Sequence, residues 1–283
     1  MSHDSAADAN RIAKATLTRF GEAIPLPPGV AGADELARML EHSSHRQWNT
    51  QLIEPALLKL LCACALSAPS KSDLQQADII HVADRSKIKA IADHIPDMPW
   101  INHAPVFLVF CGNNRRIRQI GEWRGKPFVN EHLDHFMNAA VDAGIVLANF
   151  IRAAEAAGLG TVPISAVRNH PRETSDILGL PDAVFPVAGL CVGYPLEAGH
   201  ITARLQLDVT VHTDRFDESK LKENIDAYDQ RRHQLFPLRK QRHPKRYPDV
   251  PFYGWSEDKA RHYSVPERAD FGVFIREKKF SLK

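Results

Sequence analysis

No stretch of the 283 residues runs for the ~20 apolar positions that cross a bilayer without a polar interruption, so no membrane partner is expected. The amino terminus carries Asp4 and Asp8 and has no apolar core of the kind a secretory leader needs. Charge of one sign is also missing. The 36 Lys and Arg stand against 34 Asp and Glu, and a net charge of +2 offers no global attraction to nucleic acid or to a lipid surface. Cysteine is scarce and makes no C-x-x-C pair. Cys62, Cys64, Cys111 and Cys191 lie in apolar stretches, which implies buried, reduced thiols and a cytoplasmic protein. Metal-ligating residues are thin as well. Glu131, His132 and His135 share one helix face, but no third histidine or cysteine follows at a matching spacing, so no metal site is expected.

What is present is apolar patterning. Hydrophobic residues make up 44% of the chain, enough for a large core, and the length admits one or two domains at roughly 150 residues each. Residues 1–30 read as an N-terminal extension. A polar tail leads into a short amphipathic piece from Arg11 to Phe20, and the prolines of IPLPPGV make its end an extended linker. Arg11, Lys14 and Arg19 bring an organelle transit peptide to mind, but interspersed acids favour a surface extension, and no function attaches to it. Residues 31–283 read as the organised domain.

In that domain DELARMLEHSSHRQW predicts a helix entering a polar turn. EPALLKLLCACALSAPSKSDLQQADIIHVAD predicts a helix, a serine-rich loop and a strand. An amphipathic helix over SKIKAIADH precedes a strand from Pro105 to Cys111, apolar on both faces and so inside a sheet. Residues 113–134 read as polar and irregular. From His135 to Ala157 the run is too long for a strand and apolar around most of its circumference, a helix buried on several sides, with Ala139, Ala140, Ala143, Gly144 and Ala148 admitting close neighbours. Gly158 suits the left-handed position beyond its end, Pro171 opens another helix, and GLPDAVFPVAGLCVGYP is a buried strand ending near Gly193.

The run GLGTVPI-x-x-x-RN, followed about twenty residues on by LGLP-x-x-VFPV-x-GLC-x-GYP, resembles the nitroreductase family of flavoproteins, in particular its NADPH-dependent nitroreductases and flavin reductases. The likeness extends from about Leu40 to the C-terminus. It implies an α+β fold with a mixed, mainly antiparallel sheet flanked by helices, and a homodimer with the long central helix at its interface. It also implies FMN as cofactor, with NADPH or NADH as electron donor. The family's H-R-S-x-R motif, whose last arginine grips the FMN phosphate, stands here as His42-Ser43-Ser44-His45-Arg46; Arg46 matches and Ser43 departs. A phosphate dianion calls for a fixed, always-charged fork supported by hydroxyl or backbone donors. The A-P-S-S-x-N-x-Q element that holds the ribityl chain and the pyrimidine side matches at Ser70, Ser72 and Gln75, with Asp73 in place of asparagine. Met98 stands where relatives carry a glutamine that touches the ring. The K-P-R triplet completing the phosphate site reads Thr202-Ala203-Arg204, which keeps the arginine and loses the lysine.

No catalytic side chain is implied, because the flavin carries the chemistry. Backbone groups of Pro163, Ile164, Ser165 and Ala166 are implied along the ring, one N–H bonding to N5. The activity implied is ping-pong hydride transfer from NAD(P)H to a nitroaromatic, a quinone or a free flavin. A basic cluster, Arg231, Arg232, Arg239, Lys240, Arg242, Lys245 and Arg246, suits either the 2′-phosphate of NADPH or a solvated loop. Three other readings bear on the same residues. A dinucleotide-binding βαβ unit fails because Gly158 and Gly160 close a helix instead of opening one. The departures at Ser43, Asp73, Met98 and Thr202 leave room for a flavin-binding or regulatory protein without turnover, and a specialised reductase of a single metabolite is also compatible.

Overall fold

The computed structural model describes residues 5–283; Asp4, used above against a leader, lies outside them. In chain order the elements are α1 (Ser5–Phe20), α2 (Ala33–Leu40), α3 (Pro55–Leu66), β1 (Ala77–His81), α4 (Arg85–Asp93), β2 (Val106–Asn113), α5 (Arg115–Trp123), α6 (Leu133–Ala156), β3 (Gly160–Ile164), α7 (Pro171–Leu178), β4 (Val184–Gly193), α8 (Leu207–Thr210), α9 (Leu221–Leu235), α10 (Trp255–Tyr263) and α11 (Phe271–Glu277). They fall into two compact units, Met1–Ser43 with His200–Glu267, and Ser44–Gly199 with Arg268–Lys283.

The larger unit is built on a four-stranded sheet in the order β1-β2-β4-β3, every pairing antiparallel. Among the described residues the parallel component of the expected mixed sheet is one bridge, Ser44 against Thr161. β2 is buried on both faces because alternate residues enter different cores. Phe107, Val109 and Cys111 pack with Ile88, Ile91 and Ile101, while Leu108 and Phe110 pack with Leu61, Val146 and Phe150. A third cluster, Phe185, Phe274, Ile275 and Phe280 against Ala139, fastens the C-terminal tail. The Ala183 N–H donates to Lys278 O (2.8 Å) and the Leu133 N–H to Lys283 O (3.1 Å), so the tail meets the start of α6.

By length and composition α6 would pass for a membrane span. In the fold one face, Ala139, Ala143, Phe150 and Ala154, is fully buried, while Met137, Val141 and Ile145 are exposed. The helix ends as its glycine predicts. Gly158 has φ +75°, and the Leu159 N–H reaches back to Ala154 O (2.9 Å), satisfying a terminal carbonyl.

Two expectations are corrected. Residues 115–123 are helical, not irregular: Asn113 Oδ1 accepts from the Arg116 N–H at 3.2 Å, and Ile117 and Ile120 recur at helical spacing. Cys64 is exposed, since α3 leaves one apolar face open where Leu60 is also uncovered. Cys111 and Cys191 are buried as expected. Burial, and then the charge of Asp78, pushes the Cys111 thiol up to about 12, and burial raises Cys191 further.

In the smaller unit α1 packs on α2. Arg11 joins them, its guanidinium bonded to Asp8 (2.8 Å), Asp34 (2.8 Å) and Glu41 (2.6 Å), and these carboxylates hold it protonated. Ile12, Ala15, Thr16 and Arg19 of α1 are buried. α9 and α10 meet through the Tyr228 and Trp255 rings (5.3 Å) and through Asp229, which accepts from the Ser256 N–H at 2.9 Å.

Candidate active site

Gly160 and Gly193 face each other in the β3–β4 register. A Cβ on Gly160 would stand 2.7 Å from the His45 ring, and one on Gly193 would stand 2.6 Å from Trp48 and 2.7 Å from Pro105. The paired glycines therefore let residues 45–48 lie against the sheet, which is the physical content of the G-L-G-T and G-Y-P motifs. The segment is tied down along its length. The His45 N–H donates to Thr161 O (2.9 Å), Trp48 Nε1 to Gly160 O (3.2 Å), the Asn49 N–H to Tyr194 O (3.0 Å) and the Leu196 N–H to Gln47 O (3.2 Å). Gly193→Ala is expected to cost about 1–3 kcal/mol of stability by overpacking Trp48, as urea unfolding would report.

Arg46 sits at the middle of this segment. It is exposed, its guanidinium lies 5.5 Å from the centroid of the Trp100 ring, and it has no carboxylate partner among the described residues. The indole N–H of Trp100 is itself buried without an acceptor. A planar cation braced by an aromatic ring and left without a counter-charge is ready for an anion. Ser44 bridges to Thr161, two residues before Pro163 on β3.

The loop between α3 and β1 has an unusual backbone: Ser72, Asp73 and Gln75 have φ of 50°, 54° and 52°. Its shape is imposed by Asp142, buried midway along α6. Asp142 accepts from Ser70 Oγ (2.6 Å), from the Lys71 N–H (3.3 Å) and from the Gln76 N–H (3.2 Å). Ser70 Oγ in turn accepts from the Gln75 N–H (2.8 Å), and Gln75 Nε2 donates to Asp73 (3.1 Å). Arg116 donates to Gln75 O and to Asp78. Ser70, Asp73, Gln75, Asp142 and Arg116 line a cavity of about 520 Å³. Asp142 went unnoticed in the sequence, where its one signal is an acid inside the apolar run AAVDAGIV.

At the end of β3 and just after it, Pro163 and Ser165 are exposed while Ile164 and Ala166 are buried. The 3-10 turn Ser165–Arg168 is held by Arg168, which donates to Val187 O, and by Arg268, which donates to Asn169 Oδ1 at 2.7 Å and Ser165 Oγ at 3.4 Å. Burial and the charge of Arg268 lower the Arg168 pKa. Met98 packs against the core at the start of the turn Pro99–His103. Glu131 is paired with Arg118 at 2.6 Å, and His135 lies against Asn114 at 2.9 Å.

His42 and Arg204 belong to the smaller unit. His42 O accepts from Arg19 Nη2 (2.6 Å), and the Arg204 N–H donates to Arg19 O (2.6 Å). Arg204 is exposed, its guanidinium bonded among the described residues to Thr202 Oγ1 (2.8 Å) and, at 3.4 Å, to Ala203 O. The basic cluster divides. Arg231 is spent on the carbonyls of Thr18, Arg19 and Arg204, Arg232 on Phe236 O and Arg242 on Asp258. Arg246 lies over the Tyr247 ring at 5.6 Å. Arg239, Lys240 and Lys245 are exposed, with no carboxylate in reach among the described residues.

Sequence comparison matches residues 39–194 to the Nitroreductase family and residues 203–283 to the Nitroreductase family, C-terminal domain. Similar proteins include an FMN reductase [NAD(P)H] of Bacillus subtilis, 35% identical over 68% of this chain and 78% of that protein. An NADPH-flavin oxidoreductase of Vibrio harveyi is 32% identical over the same shares. Among solved structures, B. megaterium NfrA2 superposes with a TM-score of 0.80 at 30% identity, covering 88% of this chain and 99% of its own. The NADPH:FMN oxidoreductase from Vibrio harveyi complexed with NAD+ gives 0.76 at 26% identity, covering 87% and 97%. With a sheet, a central helix and glycine motifs that all agree, the chain belongs to the nitroreductase family.

Proposed function

We propose that this chain is an FMN-dependent NAD(P)H oxidoreductase that reduces nitroaromatics, quinones or free flavins by ping-pong turnover. Bound FMN would supply the redox chemistry, accepting a hydride equivalent from the nicotinamide and passing two electrons to the acceptor that follows it. The observation that carries this reading is Arg46, an uncompensated guanidinium fixed beside the β3 strand that leads into Pro163–Ala166. Its role is to fork the flavin phosphate, and Arg204 is assigned to the same group by its motif. The loop of Ser70, Ser72, Asp73 and Gln75 takes the ribityl and pyrimidine side. Its shape is set in advance by Asp142, so little ordering is needed on binding. Pro163 has no N–H, so the backbone donors available to the ring in that stretch are those of Ile164, Ser165 and Ala166.

For the donor, Arg239, Lys240 and Lys245 are the cations of the basic cluster left to meet a 2′-phosphate, which favours NADPH over NADH. A homodimer is supported by the exposed apolar stripe Met137, Val141 and Ile145 on α6, with Leu60 and Leu66 uncovered on α3. The test is a visible spectrum of FMN-reconstituted protein under anaerobic titration with each nicotinamide. We expect one FMN per chain, bleached faster by NADPH and recovered on adding a quinone. Flavin bleached by neither donor would identify a flavin-binding protein without turnover, and failure to take up FMN would remove the proposal.

A further inference from the structure

α6 holds the end of the left-handed loop at two points. Asp142 takes its main chain, and about two turns earlier on the same helix His135 takes it through two side-chain amides. All three members of that second link are buried: His135 is 7% exposed, Gln76 1% and Asn114 0%. Asn114 Nδ2 donates to the His135 carbonyl (3.0 Å) and meets His135 Nδ1 at 2.9 Å, while Asn114 Oδ1 accepts from Gln76 Nε2. Gln76 is the residue through which the loop enters β1. Its N–H donates to Asp142 (3.2 Å), and its carbonyl accepts from the Asn113 N–H (2.8 Å). Asn114 stands at the start of α5, whose Arg116 donates to the Gln75 carbonyl.

The direction of every bond in this link is fixed. The His135 carbonyl can only accept, so the Asn114 atom facing it is the amide nitrogen, and that same nitrogen faces Nδ1. The Asn114 oxygen is then left for the Gln76 amide, and Gln76 Oε1 is buried with no donor among the described residues. Nδ1 must therefore accept, which makes the imidazole neutral with its proton on Nε2. A proton arriving at Nδ1 sets N–H against N–H. Asn114 cannot turn to receive it, because its oxygen would then oppose the His135 carbonyl. The charged and titratable groups around the ring are His132 and Asp134 at the N-terminal end of α6, Arg118 of α5, paired with Glu131 (2.6 Å), and Lys71 of the loop, paired with Asp134 (2.9 Å). The Phe128 ring closes the remaining side at 4.6 Å. Burial first, then the charges of His132 and Arg118, lower the His135 pKa.

We propose that His135 is a positioning residue for the flavin loop: its neutral imidazole latches Asn114 and Gln76, and proton uptake at Nδ1 releases them, so that the protein sheds its flavin faster in acid. The proposal rests on the assignment of this loop to the ribityl and pyrimidine side. A histidine whose pKa is depressed when latched takes up its proton on opening. Opening is therefore insensitive to pH above the ordinary imidazole value of about 6.5 and grows more favourable below it, by up to tenfold per unit.

The experiment reads the loop and the flavin separately, between pH 5.5 and 7.5, in wild type and His135→Asn, whose side-chain oxygen can accept at the place of Nδ1 without titrating. Amide exchange at Gln76, corrected for its intrinsic pH dependence, reports opening. Release of riboflavin, which has no phosphate to titrate, reports retention. In wild type both rates are expected to rise on the order of tenfold from pH 7.5 to 5.5, and in His135→Asn both are expected to stay level. A level Gln76 exchange in wild type, or the same rise in His135→Asn, overturns the inference. If exchange rises in wild type alone while riboflavin release stays level, the latch exists but does not position the flavin, and the assignment of the loop falls with that part of the proposal. Should His135→Asn not fold by circular dichroism, nitrogen NMR of the wild-type imidazole takes its place. A ring protonated on Nε2 at pH 7.5 that gains its second proton as Gln76 opens supports the latch, and a ring protonated on Nδ1 at pH 7.5 overturns it.

Discussion

Arg46→Ala is expected to lower FMN affinity on the order of 10²-fold and to leave riboflavin affinity nearly unchanged. The guanidinium is exposed and has no carboxylate partner among the described residues, so its charge is not committed to the fold. What it contributes to the folded state is its contact with the Trp100 ring, on the order of 0.5–1 kcal/mol at an exposed site. A bidentate grip on a phosphate is worth more. Two charge-assisted bonds at roughly 1.5–3 kcal/mol each exceed 3 kcal/mol together, or about two decades of affinity. The variant should therefore melt within a few degrees of wild type while losing its flavin on dialysis. Arg46→Lys should fall between the two, because an ammonium keeps the charge without the fork. Arg204→Ala is the companion measurement. Undiminished FMN binding in Arg46→Ala, measured by calorimetry or fluorescence, would transfer the phosphate to other residues.

Much of the scaffold around Arg46 was legible because it is local. The length of the apolar run announced α6, Gly158 announced its end, and Pro171 announced the helix that follows. β2 and β4 were legible as uninterrupted apolar strands because both of their faces meet packed helices. What escaped was non-local or polar. Residues 115–123 read as irregular because three arginines mask two isoleucines and the asparagine that starts the helix. The exposed side of α3 was invisible because periodicity reports apolar faces without saying how many are covered. Arg19 could not be assigned at all. Its partners, His42 and Thr202, lie 23 and 183 residues away, and nothing in a basic residue near the end of a helix distinguishes a buried clamp from a solvated side chain.

Asp142→Ala should be the most disruptive single change in the larger unit, and its signature should differ from that of Arg46→Ala. Asp142 is buried and serves three donors at once, the Ser70 hydroxyl and the N–H groups of Lys71 and Gln76. Those bonds hold a loop in which Ser72, Asp73 and Gln75 are all left-handed, a conformation that costs non-glycine residues on the order of 1–2 kcal/mol each. With the carboxylate gone, the donors lose their acceptor and the strain loses its restraint, so the loop relaxes toward solvent. We expect a stability loss of about 3–5 kcal/mol in urea unfolding, near the upper end for a point substitution. Asp142→Asn keeps one acceptor oxygen and should lose roughly half as much. Amide exchange at Lys71 and Gln76 should accelerate before the protein unfolds globally, because the loop opens independently of the sheet. The loop is assigned to the ribityl and pyrimidine side of the flavin, so riboflavin and FMN should weaken by the same factor, whereas Arg46→Ala weakens FMN alone. Unaltered riboflavin affinity in a folded Asp142→Ala protein would detach this loop from the flavin site, and wild-type exchange at Lys71 and Gln76 would show that the carboxylate does not hold it.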